Sequence, residues 1–329
     1  MPAVRPRERA GSRGTGVSAA KDDLLKKLLD SIPASAGHRL ADDVARLQVH
    51  HNQVLGAHLV PGLEMDVEEE TDGIRAKIRI LEGVAIANPV HICFGMLPET
   101  GRQNIVLDVG VGDGASASIL AHCTFPNARD VVHKMDAVIT VGAGATYSYF
   151  ERHIHGPHGG VVVLPKAEVT VHEGGRFKTE FELIKGRVGE IDVDYKTICR
   201  AHGVVEMIAR ISGSKNDRIR INETAHLAGE YARAVLKSYI ALRDEARGEV
   251  NNSLRADAPY ARGHVDCKEI VQGRASARAV PTVEVNHPTA HVTHEAAIGS
   301  VDSKQLQTLQ SRGLTEDEAT ELIIEGLLS

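Results

Sequence analysis

"DVGVGDGA" at residues 108–115, "VITVGAGA" at 138–145 and "EVTVHEGG" at 168–175 are one phrase written three times, 30 residues apart. Each is a β-rich run ending in Val, two residues, Gly, then Ala or Gly. A glycine recurring at one phase marks a corner that needs positive φ or no side-chain bulk. Strands of fixed period with small corner residues are what a solenoid requires, because each coil buries its face only against its neighbours. Around the phrase, "IRAKIRI", "NIVLDVGV", "EIDVDYKTI" and "VVEMIARI" are further short β-rich runs. Later glycines (Gly203, Gly229, Gly248, Gly263, Gly273) come at shorter, irregular intervals, with the motif continuing in "ARGEVNNSL", "ARGHVDCKE" and "VQGRASARA". An antiparallel sandwich with Gly turns is the competing architecture.

Composition agrees with many short strands. The 329 residues are 42% hydrophobic but only 3% aromatic, without Trp, so the core must rest on Val, Ile, Leu and Ala. A net charge of −6 argues against a nucleic-acid binder. No apolar run approaches ~18 residues, so no membrane span is expected. Cys93, Cys123, Cys199 and Cys267 form no CxxC pair, which excludes a local zinc ribbon. With no signal-peptide pattern, free thiols in a reducing cytoplasm are expected, and a buried structural thiol is the default for Cys93. No GxxxxGK[ST] is present, so a P-loop ATPase is not encoded.

The flanks read differently. Residues 1–20 carry four arginines and one glutamate and read as a disordered basic tail. Residues 21–72 read as an N-terminal helical region, with one helix in "KDDLLKKLLDSI" stopped at Pro33 and a second from Leu40 to about Gln48. The β-core is expected over 73–300 and two short helices over 301–329. Asp302 or Ser303 can cap the first of these and Gly313 close it, while Thr315 with Glu318 makes a capping box for the second.

"VNHPTAHVTHEAAIGSVD", residues 285–302, gathers His287, His291, His294 and Glu295. "HVTHE" inverts the order of a zinc-protease HExxH, but that chemistry needs a helix. Pro288 and the alternating "PTVEV" point to a strand, so His291 and Glu295 face one side and His294 the other. Cys267 precedes Glu295 by slightly less than one repeat period, so the two are expected at similar phases on nearby coils. One thiolate, one imidazole and one carboxylate are a thin ligand set for an iron–sulfur cluster, which a symmetric dimer would double. A metal-dependent hydrolase or lyase using His287, His291, His294 and Glu295 is the alternative, and a structural adaptor a third.

From "APYARGHVDCKE" through "HEAAIG", "SKQLQTLQSRGLTEDEA" and the "EGLL" ending, the chain closely resembles the SufB/SufD iron–sulfur cluster assembly scaffolds. "PVHICFG" and "VLPKAEVTV" resemble the shorter archaeal members. The resemblance covers roughly residues 35 to 329. It implies a right-handed parallel β-helix, a C-terminal helical region docking on a SufC-type ABC ATPase, and pairing of two scaffold subunits through their last strands. It implies a labile cluster, of [4Fe-4S] or another type, built at that interface and passed to apo recipient proteins.

Family B-type members carry a cysteine followed by a His–Glu–Ala triplet, matched here by Cys267 and by His294, Glu295 and Ala296. The resemblance therefore implies Cys267, His294 and Glu295 as cluster ligands, supplied by both halves of a homodimer. ATPase docking would fall on Leu306, Leu309, Arg312, Leu314, Leu322 and Ile323. The multi-cysteine N-terminal segment of longer bacterial members is absent, and their sulfur-entry cysteine matches neither Cys123 nor Cys199 with certainty.

Overall fold

A computed structural model describes residues 16–32 and 41–328. Helix α1 (Gly16–Asp30) is followed by β1 (Arg46–His50), β2 (Gln53–His58), β3 (Leu63–Glu70), β4 (Gly73–Ile80), β5 (Val90–Gly95), β6 (Thr100–Val111), β7 (Ser116–Phe125), β8 (Asp130–Val141), β9 (Thr146–His155) and β10 (Val161–Val171). The second half holds β11 (Arg176–Leu183), β12 (Gly189–Cys199), β13 (Val204–Gly213), β14 (Arg218–Leu227), β15 (Arg233–Leu242), β16 (Arg247–Ala256), β17 (Arg262–Val271), β18 (Ser276–Ala279), β19 (Thr282–Val285) and β20 (His291–Gly299). Helices α2 (Ser303–Gln310) and α3 (Glu316–Leu328) close the described chain.

From β5 to β18, successive strands alternate between two facing sheets, and neighbours within each sheet run parallel; β19 pairs again with β16 before β20 returns to β17. The result is a β-solenoid of about eight turns. Asp108 pairs with Val138, and Val138 with Glu168, so the repeated phrase stacks on itself. Every second residue points inward, giving a core of Val, Ile, Leu and Ala that runs the length of the solenoid.

The fading glycine signal has a physical cause. At one corner the left-handed position is held by Gly114, Gly144 and Gly174, then by His202, Tyr231 and Tyr260. The coils there shorten, with Arg176 opposite Val204, Val204 opposite Arg233 and Arg233 opposite Arg262. A non-glycine residue pays roughly 1–2 kcal/mol for this conformation. Stacking of the three rings, at centroid distances of 5.2 and 4.9 Å, offsets part of that. Gly248 and Gly263, expected at corners, instead lie inside β16 and β17, where a Cβ would press on Leu242 and Leu254.

Gly160 shows a stricter need for glycine. It sits at φ +78°, and a Cβ there would lie 2.0 Å from the Arg129 carbonyl oxygen. At Gly144, φ is also positive but a Cβ would meet nothing within 4 Å. Gly160→Ala is therefore expected to cost more than ~2 kcal/mol, and Gly144→Ala about 1 kcal/mol. Equal losses in denaturant titrations would contradict the backbone clash.

Three readings of the N-terminal region are corrected. Residues 16–20, assigned to the tail, begin α1, which the good helix formers Ala19 and Ala20 extend; residues 1–15 and Pro33 lie outside the described residues. The second helix is not formed where it is described. Val44 and Leu47 mimic helical spacing, but Leu47 and Val49 alternate into the core beside Ile92 and Phe94 as strand β1. The region to residue 72 is thus largely β, with the hairpins β1–β2 and β3–β4 capping the first coil. Leu28 of helix α1 and Ile32 just after it pack with Cys93, which is buried as expected.

Both C-terminal helices form with their expected N-terminal caps, while the first is closed at Ser311, two residues before Gly313. Asp302 Oδ1 accepts from Gln305 N at 2.8 Å, and Thr315 and Glu318 exchange capping bonds. On the outer face of the solenoid, α3 packs Ile324 and Leu328 onto Ala241, while Arg243 Nη1 donates to Glu321 Oε1 at 2.6 Å.

Candidate functional site

The last coil is left open. β20 pairs with β17 on one side only, and almost all of its residues are exposed, including Ile298 at 49%. A nine-residue strand with a free edge is a template for pairing with another chain. His294 and Glu295 lie on it, and Cys267 lies one coil below.

Register separates the three side chains. Cys267 pairs with Ala296, His294 with Val265 and Glu295 with Asp266. The coil here runs from Arg262 to His291, one residue longer than the step from Cys267 to Glu295. That single residue turns Cys267 and His294 to the inner face and Glu295 to the outer one, contrary to the similar phase expected. His287 sits in the preceding turn with Nδ1 3.1 Å from Thr289 Oγ1, and His291 faces outward opposite Arg262. The four-residue hydrolase cluster is therefore not gathered within one chain.

Cys267 is fully buried at the end of an interior polar run. Asn252 Nδ2 donates to Ser238 Oγ at 2.8 Å and lies 3.9 Å from Cys267 Sγ, and Ser238 Oγ donates to Glu223 Oε2 at 3.5 Å. Burial pushes the Cys267 thiol up to about 12, with Glu269, Glu223 and Asp266 adding to the effect. Burial also lifts Glu223 to about 8, against the Ser238 hydrogen bond, and lifts Glu269 to about 7 with help from Asp266. Neither Glu269 oxygen has a hydrogen-bond partner. A thiol held neutral this way becomes a ligand only when a metal ion supplies the compensating charge. On the outer face, Tyr239 donates to Asp266 Oδ2 at 2.7 Å, Lys268 lies 3.1 Å from the same oxygen, and Glu295 is close enough to add to the upward push on the Tyr239 phenol.

Residues 101–327 match the family model described as the SUF system FeS cluster assembly, SufBD core domain. The chain belongs to the SufBD family. An iron–sulfur cluster assembly SufBD family protein of Methanocaldococcus jannaschii is 37% identical over 283 residues, covering 86% of this chain and 90% of that protein. A SufBD family protein of Pyrococcus horikoshii is 36% identical, covering 87% of each chain. The iron–sulfur cluster assembly protein SufB of Bacillus subtilis is 24% identical over 260 residues, or 54% of its length. SufBD membership places the chain in iron–sulfur cluster assembly. Among the described residues, no helix is long and apolar enough to cross a membrane.

The C-terminal helices of this SufBD chain leave a groove of about 400 Å³ between them, lined by Lys304, Gln305, Thr308, Leu309, Leu322 and Ile323. Leu309, Leu322 and Ile323 of the expected docking set line it. Leu306 and Leu314 are half-buried nearby in sequence, and Arg312 is exposed.

One polar cluster was not anticipated from the sequence. Cys123 on β7, His133 on β8, and Glu151, His153 and His155 on β9 all point into the core. His153 Nε2 lies 2.7 Å from Glu151 Oε1, His153 Nδ1 lies 3.1 Å from His155 Nε2, and His155 Nδ1 lies 3.1 Å from the Arg187 carbonyl. Burial opposes charge on Glu151, yet His153 and His133 beside it hold the carboxyl below its usual value. Burial first, and then Glu151, pushes the Cys123 thiol well up. The signal was present in "TYSYFERHIH", where Glu151, His153 and His155 alternate. Phe150 and Ile154 alternate equally well on the other face, so the strand's orientation could not be read locally.

Proposed function

We propose that this chain is a scaffold subunit of iron–sulfur cluster assembly, not itself an enzyme. Two copies join through their β20 edges, and a labile cluster forms between them as cargo on Cys267, His294 and Glu295 of both. A SufC-type ABC ATPase docks on the α2–α3 region and supplies ATP hydrolysis, and the finished cluster passes to apo recipient proteins in the cytoplasm. The observation that carries the reading is the unpaired terminal strand bearing His294 and Glu295, one coil beyond Cys267. Pairing two such edges would cover an exposed surface and double a ligand set that one chain leaves incomplete. Few thiolates, with oxygen and imidazole ligands, suit a cluster that must be released.

Anaerobic reconstitution with ferrous iron and sulfide tests this. The wild-type chain is expected to turn brown, to show cluster signals in Mössbauer or EPR spectra, and to run as a dimer. Cys267→Ala should lose the chromophore while its circular dichroism stays unchanged. Iron content equal to wild type in that variant would sink the assignment.

A further inference from the structure

The interior cluster around Cys123 lies far from the open end and plays no part in the proposed cluster site. Its five side chains are each no more than 8% exposed, in a core built mainly of aliphatic and aromatic side chains. Phe125 packs 5.0 Å from His133 and Phe181 4.7 Å from His153, centroid to centroid, closing the cluster above and below. Two of its polar atoms have no hydrogen-bond partner, His133 Nδ1 and Glu151 Oε2. Leaving a buried polar atom unsatisfied costs about 1–3 kcal/mol, more when the group is charged. Two residues of one buried cluster thus each carry a polar atom that needs something to satisfy it.

One sulfur, one imidazole nitrogen and one carboxylate oxygen, from Cys123, His133 and Glu151, all lie within 4.8 Å of one another. Cys123 and Glu151 come from neighbouring strands of one sheet, and His133 from the facing sheet. His153 sits behind the carboxylate, holding Glu151 Oε1 and leaving Oε2 free. His155 in turn holds His153, and the Arg187 carbonyl holds His155. Such outer hydrogen bonds are how metal ligands are oriented.

We propose that Cys123, His133 and Glu151 bind one divalent transition-metal ion, Zn²⁺ or Fe²⁺, inside the solenoid, tying its two sheets together. A mixed sulfur, nitrogen and oxygen set suits ions of intermediate softness and disfavours Mg²⁺ or Ca²⁺. Binding replaces the thiol proton of Cys123 with the metal, releasing that proton to solvent. The ion satisfies both orphaned atoms and fastens strands that otherwise meet only through side-chain packing.

The test uses the full chain in the Cys267→Ala background, so that cluster iron does not contribute and the outcome is independent of the proposed scaffold role. The protein is produced with Zn²⁺ or Fe²⁺ supplied, purified anaerobically, and its metal measured by mass spectrometry. About one ion per chain is expected, its identity deciding between zinc and iron. Refolding with Co²⁺ should give a near-ultraviolet sulfur-to-metal band. Cys123→Ser should abolish that band, and Glu151→Gln, nearly the same shape, should lower metal content at least tenfold while circular dichroism shows a folded solenoid. Metal-free protein under both supplies and after refolding, or metal content unaffected by both substitutions, would overturn the proposal. A thermal midpoint that chelator lowers in the parent but not in Glu151→Gln would support it.

Discussion

Removing residues 302–329 is expected to abolish capture of the proposed ABC ATPase partner while leaving the solenoid folded. Stability in a solenoid is close to a sum over coils and their neighbours, so the coils persist without an appended helix pair. The pair is not entirely detached, because Ile324 and Leu328 cover Ala241. Truncation alone would expose that patch and confuse loss of docking with loss of solubility. Leu309→Glu with Ile323→Glu is the sharper form, since both side chains line the groove and neither belongs to the small cluster that seats α3 on the solenoid. Apolar anchors at the centre of an interface are each worth about 2 kcal/mol or more, so two charges there should weaken binding on the order of a thousandfold. Titration calorimetry against the ATPase reads this directly. Affinity equal to wild type in the double variant would remove the groove from the interface, and co-purification of the truncated chain would remove the helices altogether.

The solenoid was legible because its repeat is carried by backbone necessity, while the sites within it are carried by register. Gly114, Gly144 and Gly174 announce a corner that tolerates little else, and their spacing equals the coil. Once His202, Tyr231 and Tyr260 take over the same position, ring stacking replaces the glycine signature and the period dissolves into ordinary sequence. The shortening of the later coils by a residue also bears on which way Glu295 faces relative to Cys267. The step between those two residues looks like a match to the period until the length of the last coil is known. The Cys123 cluster was hidden for a related reason: its members come from three strands, and only the pairing of β7 with β9 and the facing of β8 bring them together. The second N-terminal helix failed because Leu47 and Val49 gain more from pairing with β5 than from a weak helical stripe.

Glu223→Gln is expected to stabilise the protein at pH 8 and to leave it nearly unchanged at pH 4. The side chain is 2% exposed on β14, its hydrogen bond from Ser238 is long at 3.5 Å, and burial lifts its carboxyl to about 8. An unfolded chain would ionise the same group near 4.5. Between those values the native state holds a proton that the unfolded state has released, so stability falls as pH rises through the window. A neutral amide has no such dependence. The difference between 4.5 and about 8 corresponds to a few kcal/mol, or roughly 5–10 °C in thermal midpoint for a chain of this size. Melting curves of both proteins at pH 4 and pH 8 check it, and equal offsets at the two pH values would show that Glu223 is charged in the fold. Glu269, lifted to about 7, should add a similar dependence in the lower part of the window. Both carboxyls flank Cys267 in the core. Keeping them protonated removes two negative charges from beside the thiol that the proposed cluster site would need ionised. Ionising Glu223 as the pH rises should therefore weaken the last coils and make the thiol harder to ionise than in Glu223→Gln, so that reconstitution above pH 8 is less efficient in wild type than in that variant.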